Sequence, residues 1–204
     1  MTQPLPDQDD LIYREMMTHI PLFTHRNPET VAIMDENNPG LAEEALKHKT
    51  VRTIWQRKTS ADERLNDSRI QVFNNDPDDF FSQIKKESLD ILIIGDLWKK
   101  NVADCLNALH ADGFYIQLCE SSHDLAALKN HQQILRSAGF SDVLPLNFPG
   151  AAGWRTAMMA VKEGTIRHPR EKDIFNKSFS THYYNLDMHR AAFALPEFMR
   201  TELA

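Results

Sequence analysis

The stretch that decides the fold is Val31-Ala32-Ile33-Met34-Asp35-Glu36-Asn37-Asn38-Pro39-Gly40-Leu41. The apolar run 31–34 predicts a buried strand, because such short runs bounded by turn residues are typical of parallel sheets. The polar residues 35–38 predict a turn. Asn38-Pro39 then favours a helix start, since proline is accepted at the first helical position. A strand, a turn and a helix in this order predict the first unit of an α/β protein.

The same alternation extends on both sides of this unit. An N-terminal helix capped by Asp9 or Asp10 is expected to end at Pro21. Downstream, apolar runs predict four more strands, and helices are expected between them. These strands are 51–55, 70–73, 91–94 and 114–118, the last preceded by a turn at Asp112-Gly113. The repeated pattern predicts a parallel sheet.

After the fifth strand the alternation changes. A helix from about Ser122 is expected to end at Gly139, a left-handed cap. Residues 143–148 and 154–161 then read as two strands joined by the turn 149–153, so we expect an antiparallel hairpin. A terminal helix follows Pro196. The whole sheet should contain about seven strands.

Length and hydropathy indicate one domain. A chain of 204 residues builds one sizeable core, so we expect a flexible tail over 1–10 and a single domain over 11–204. The first ten residues are acidic and polar and lack the pattern of a secretory signal. No apolar run is long enough to cross a bilayer. We therefore expect a cytoplasmic protein with no membrane partner.

Charge and composition exclude several functions. The net charge of −6 and the pI of about 5.8 disfavour nucleic-acid binding. The nine histidines and two cysteines show no metal-ligand spacing, and no serine-nucleophile turn is present, so metallohydrolases and serine hydrolases are excluded. We expect no metal site. With only 7 glycines, the chain has little from which to build a glycine-rich cradle.

Two motifs near the ends of the chain resemble one family. The segment 13–22, YREMMTHIPL, is similar to the YHEMMTHVPL segment of spermidine synthases, the polyamine aminopropyltransferases, with Arg14 in place of a histidine. Tyr183-Tyr184-Asn185 and residues 189–196, HRAAFALP, resemble the family's C-terminal motif. The resemblance covers about 11–204 and implies a Rossmann-like, methyltransferase-type sheet closed by the hairpin. It also implies that a small N-terminal β-domain of typical members is absent here.

The resemblance implies a reaction. Family members transfer an aminopropyl group from decarboxylated S-adenosylmethionine to putrescine, without a metal or another cofactor. We expect decarboxylated S-adenosylmethionine as a co-substrate only if this chain is active. A polyamine or a nucleoside is the expected small-molecule partner, and the family's habit of self-association predicts a homodimer.

This chain departs from the family at the positions that hold substrate. The glycine-rich loop GGGDG is replaced by residues 35–39, whose side chains should obstruct the cradle. Lys58 aligns with the acidic residue that binds the ribose hydroxyls in the family, and Phe148 aligns with a family tyrosine. After the fourth strand, residues 95–99 lead directly into a helix, about ten residues short of the family pattern. The second substrate carboxylate and the gating loop are missing.

Five residues remain as site candidates by resemblance. Tyr13, His19, Asn38 and Asp76 are the substrate-binding candidates, with Asp76 at the position of the adenine contact. Asp96 is the catalytic candidate if the alignment to the family motif is shifted by one residue. It would then be the base that keeps one amine of the substrate neutral. Each also has a structural interpretation: Asp76 and Asp96 as helix caps, residues 35–38 as a solvated loop, and Tyr13 and His19 as satisfied core groups.

The C-terminal motif is interpreted as structural. His189 and the Tyr183-Tyr184 pair are expected to pack the C-terminal segment against the sheet rather than to perform acid–base chemistry. Two hypotheses on function therefore stay open. The chain is either a divergent aminopropyltransferase with a rebuilt site, or a catalytically inactive relative that acts through polyamine binding or assembly.

Overall fold

The computed structural model describes residues 8–35, 37–57, 66–73, 77–95, 102–119, 124–151, 153–166 and 168–203. They form a seven-stranded sheet in the order β3-β2-β1-β4-β5-β7-β6. The strands are β1 Thr30–Met34, β2 Thr53–Arg57, β3 Ile70–Phe73, β4 Leu89–Ile94, β5 Leu109–Leu118, β6 Asp142–Gly150 and β7 Gly153–Val161. Strands β1 to β5 run parallel, and β7 is antiparallel to both neighbours. The predicted sheet and hairpin are confirmed.

Helices cover both faces of the sheet. They are α1 Gln8–Thr24, α2 Gly40–Leu46, α3 Pro77–Gln83, α4 Val102–Ala108, α5 Leu125–Ala138, α6 Glu171–Phe175, α7 Leu186–Ala192 and α8 Glu197–Leu203. Helix α5 ends at Gly139 with φ +114°, as the sequence predicts. Helix α8 follows Pro196, also as predicted. None of the described helices is both long enough and apolar enough to span a bilayer.

Alternate residues of the central strands feed two separate cores. Val31 and Ile33 of β1 pack into the core beneath α1 and α2, whereas Ala32 and Met34 face the core that contains residues of α4, α5 and α8. All six residues of β4 are buried. This burial on both faces explains why the central strands read as continuous apolar runs.

Three local predictions need correction or completion. Helix α1 continues through Pro21 to Thr24, because residues 15–24 are all buried and tertiary packing outweighs the hydrogen bond that proline lacks. No turn interrupts the chain at Asp112-Gly113: β5 begins at Leu109 and pairs with Leu89 of β4 before its register shifts. The first turn of α1, residues 8–10, lies within the expected tail, and residues 1–7 lie outside the described part.

The strand order places a ligand crevice between β1 and β4. From β1 the sheet extends to β2 and β3 on one side and to β4 and β5 on the other. Crossovers on the two sides leave in opposite directions, so the carboxyl ends of β1 and β4 flank the topological switch point, where open α/β sheets bind ligands. Asp35 follows β1 and Gly95 follows β4.

Candidate functional site

A hydrogen-bonded pair of side chains occupies the switch point. The Tyr13 hydroxyl of α1 donates to Asp35 Oδ2 at 2.7 Å, and the Asn37 backbone N–H donates to Asp35 Oδ1 at 2.9 Å. Asp35 is only 8% exposed. A Cβ built on Gly95 would lie 3.0 Å from the Asp35 carboxyl carbon. The Asp35 carboxylate therefore lies between the ends of β1 and β4, against the backbone at Gly95.

Arg14 fills the space beside the helix that follows β1. Its Nε donates to Asn38 Oδ1 at 2.8 Å, and its guanidinium pairs with Asp10 at 2.5 Å. Asn38 in turn donates from Nδ2 to Asp10. A Cβ on Gly40 would lie 2.2 Å from the guanidinium carbon, so a larger residue here would require the Arg14 side chain to move. Gly40, the first residue of α2, thus accommodates Arg14 in this position.

A second arginine contacts the ring of Tyr13. Arg155 of β7 places its guanidinium carbon 5.5 Å from the centre of the Tyr13 ring, within cation–π range. Its register partner in the hairpin is Phe148, which is 1% exposed. A Cβ on Gly150 would lie 2.7 Å from Arg155 Cγ and Nε. The arginine therefore runs along the hairpin toward Tyr13 over a position that only glycine leaves open.

His19 lies apart from this group, in the interface between α1 and α2. Its Nδ1 is 2.9 Å from His48 Nε2, and its Nε2 is 3.1 Å from Glu44 Oε2. Burial lowers the pKa of His19 and lowers that of His48 to about 2. The rings of Phe23 and Phe179 pack against His19. Both ring nitrogens thus have partners within the protein.

The structure brings Tyr13 and Asn38 to the same edge of the sheet and leaves other candidates unassessed. Asp76 and Asp96 lie outside the described residues, as do Glu36 and Lys58. Their proposed roles stay predictions. Among the residues that are described, no three histidine, cysteine, aspartate or glutamate side chains form a group that could hold a metal ion.

Glu15 fastens the C-terminal motif to α1. Its buried carboxylate accepts hydrogen bonds from the backbone N–H groups of His182, Tyr183 and Tyr184 at 2.5 to 2.7 Å. The Tyr184 hydroxyl lies 2.8 Å from His189 Nδ1. Burial lowers the pKa of His189 to about 4, which keeps the ring neutral at physiological pH. These contacts show that the motif packs the C-terminal segment against α1.

Sequence reasoning missed Arg155. Nothing in its neighbourhood carries a motif, and it stands beside the exposed Trp154. The available signal was the hairpin register: pairing of 148 with 155 puts Arg155 on the same face as the position at which the family has a tyrosine. The Arg155 guanidinium therefore lies over the Tyr13 ring at this edge of the site.

Comparisons with known proteins agree on one family. The model of the spermine/spermidine synthase domain matches residues 10–57. The polyamine aminopropyltransferase of Thioalkalivibrio sulfidiphilus is 34% identical over 229 residues, covering 98% of this chain and 80% of the relative. That of Halorhodospira halophila is 32% identical, covering 96% and 81%. The first alignment is longer than the 204 residues of this chain, so the relative contains internal residues without a counterpart here.

Solved structures extend the likeness to the fold. Spermidine synthase from Thermotoga maritima superposes with a TM-score of 0.85 at 23% identity, covering 96% of this chain and 75% of that chain. A methyltransferase from Burkholderia thailandensis gives a TM-score of 0.59 at 14% identity, covering 78% and 80%. The Rossmann-like, methyltransferase-type sheet is thereby established. Since a curated polyamine aminopropyltransferase is 34% identical over 98% of this chain, the chain belongs to the polyamine aminopropyltransferase (spermidine synthase) family.

Proposed function

We propose that this chain is a non-catalytic member of the polyamine aminopropyltransferase family, which acts in polyamine metabolism through binding or assembly. The observation that carries the proposal is the 2.7 Å hydrogen bond between Tyr13 and Asp35 at the switch point. A nucleoside cradle needs open backbone at this place, and here a buried carboxylate fills it. Aminopropyl transfer also needs the donor carbon and the amine aligned within contact distance, which a filled crevice prevents.

The second side of the cradle supports the same conclusion. Glycines in a phosphate- or nucleoside-binding turn serve to let the ligand approach the backbone. At Gly40 the Arg14 guanidinium occupies the space next to the backbone, and it is held there by Asp10 and Asn38. Arg14 and Asp35 therefore both occupy space next to the backbone that would form the cradle.

Aminopropyl transfer by a rebuilt site is the second candidate. It is favoured by the names of the relatives, which are polyamine aminopropyltransferases at up to 34% identity. In such a site, Asp35 would have to accept the ammonium group of the amine, with Tyr13 as its hydrogen-bonding partner. The replacements predicted from the sequence argue against this candidate, because the loss of one transition-state contact costs about 2.7 to 4 kcal/mol.

One experiment separates the two candidates. The purified chain is titrated by calorimetry with decarboxylated S-adenosylmethionine and its thioether product, and any aminopropyl transfer to putrescine is followed by mass spectrometry. We expect neither nucleoside binding nor transfer. Saturable nucleoside binding with turnover would establish the rebuilt enzyme instead.

Two further expectations belong to this proposal. The free thiols of Cys105 and Cys119 fit a reducing compartment, so we propose a cytoplasmic location. Self-association is expected from family membership, and light scattering at micromolar concentration should give the mass of a homodimer. A monomeric mass at all concentrations would contradict this part.

A further inference from the structure

Arg155 is a half-buried arginine at this edge of the sheet, and it differs from many other arginines of the chain in its partners. Many described arginines pair with a carboxylate: Arg14 with Asp10, Arg52 with Glu29, Arg69 with Asp67, Arg170 with Asp173, Arg190 with Glu171 and Arg200 with Glu197. Within the described part of the chain, Arg155 has no such partner. Its close contact is the face of the Tyr13 ring. A guanidinium in this position keeps its hydrogen-bonding fork available.

Gly150 and Tyr13 together define the position of the Arg155 side chain. Gly150 leaves the room that the Arg155 side chain crosses, since a Cβ there would lie 2.7 Å from its Cγ and Nε. The Tyr13 ring beneath the guanidinium is itself fixed, because its hydroxyl donates to Asp35. Stacking on a fixed aromatic face restrains a guanidinium and preorganises it for a planar anion.

Among the described charges at this edge, Arg155 is more accessible than Asp35. Arg14 pairs with Asp10, and the Asp35 carboxylate is 8% exposed and accepts hydrogen bonds from Tyr13 and Asn37, whereas Arg155 is half-buried. A dicationic amine that approached the Tyr13 ring face would be repelled by the Arg155 guanidinium, because like charges repel. An oxyanion would instead gain a charge-assisted, bidentate interaction.

We propose that Arg155 makes the mouth of the crevice a site for a small oxyanion, a carboxylate or a phosphate, in place of the cationic amines that the family uses. This inference rests on the proposed absence of aminopropyl transfer and names the class of ligand that the closed site still binds. Arg155 is the residue that contacts the ligand, and Tyr13 positions it.

The test uses two ligands with the same four-carbon chain and opposite charge, succinate and putrescine, with inorganic phosphate as a third. Each is titrated into the full chain by calorimetry at low salt. We expect succinate or phosphate to bind and putrescine not to bind; the two anions distinguish a carboxylate from a phosphate ligand. Arg155→Gln should weaken anion binding at least about tenfold, since it removes a charge-assisted fork.

Three variants define the cause. Arg155→Lys keeps the charge without the fork and should give an intermediate affinity. Gly150→Ala keeps Arg155 but displaces its side chain, and should lower the affinity for the anion as Arg155→Gln does. Arg136→Gln, an exposed arginine on α5, serves as the matched control and should change nothing.

The inference is overturned if neither anion binds, if Arg155→Gln binds the anion as tightly as the wild type, or if putrescine binds more tightly than succinate. The transfer assay is scored separately. Absence of transfer together with absence of anion binding rejects this inference alone, whereas turnover rejects the proposed function.

Discussion

The Tyr13 hydroxyl and the Asp35 carboxylate are joined by a 2.7 Å hydrogen bond across the switch point of the sheet. Tyr13 is 5% and Asp35 is 8% exposed. The bond links the first helix to the end of the first strand at the place where relatives of this fold bind ligands. It therefore holds α1 against the end of β1 and keeps the Asp35 side chain at the switch point.

Removal of the hydroxyl should destabilise the fold. Tyr13→Phe is expected to lower the free energy of unfolding by about 2 kcal/mol, because it leaves a buried carboxylate short of one donor. Asp35→Asn should cost less, since the amide oxygen still accepts the bond. Urea unfolding of both single variants and the double variant measures the coupling, and strictly additive effects would show that the bond contributes nothing.

Reopening the cradle should restore some nucleoside binding. Asp35→Gly together with Arg14→His removes the two side chains that fill it and returns a glycine and the family's histidine. We expect the double variant to bind the thioether nucleoside at least about tenfold more tightly than the wild type, or about 1.4 kcal/mol. Arg52→His, on the exposed surface, is the matched control. Equal affinity of wild type and double variant would contradict closure by these side chains.

The Glu15 carboxylate should hold the C-terminal segment. Glu15→Gln places an amide where three backbone N–H groups converge. It is expected to lower the free energy of unfolding by more than about 2 kcal/mol, because the charge-assisted hydrogen bonds are lost and the new amide NH2 group faces backbone N–H donors. Hydrogen exchange at residues 182–184 should accelerate. Glu43→Gln, half-exposed on α2, should change stability by less than about 0.5 kcal/mol. Unchanged protection at 182–184 would reject this role.

Stability should fall as the pH falls below neutrality. Burial lowers the pKa of His189 to about 4 and that of His48 to about 2, so both stay neutral in the folded state while the unfolded chain takes up protons near pH 6.5. The unfolded state then binds more protons, and each histidine should remove about 1.4 kcal/mol per pH unit below that point. The contribution of His189 is fully present above pH 6.5 and is lost between about 6.5 and 4.

Unfolding free energies at pH 7.5, 6.0 and 5.0 measure this dependence. His189→Asn should reduce the slope, whereas replacement of the exposed His168 should not. A slope that His189→Asn leaves unchanged would show that this ring does not titrate differently on folding.

Local patterns predicted the elements well where the sequence determines them locally. Strand β3 at 70–73, the hairpin of β6 and β7 and the cap at Gly139 follow from short apolar runs and turn residues, although the strands continue to Gly150 and from Gly153 into the predicted turn. The missed start of β5 has another cause. Leu109 joins the sheet because it pairs with Leu89, twenty residues earlier, and no local pattern carries that pairing.

The site shows the same limit. The sequence could indicate that residues 35–39 replace a glycine-rich loop, but it could not show that Asp35 turns toward Tyr13, since that contact joins two separate elements. The contact between Arg155 and Tyr13 was not predictable for the same reason. Its role depends on Gly150 and Tyr13, which meet it only in the folded chain.

The most direct test of the account is the transfer assay with decarboxylated S-adenosylmethionine and putrescine on the wild-type chain. It should be run beside an active polyamine aminopropyltransferase as a positive control. We predict no spermidine above the level of the enzyme-free reaction. Spermidine formed in proportion to the concentration of this chain would contradict the closed crevice and establish an enzyme.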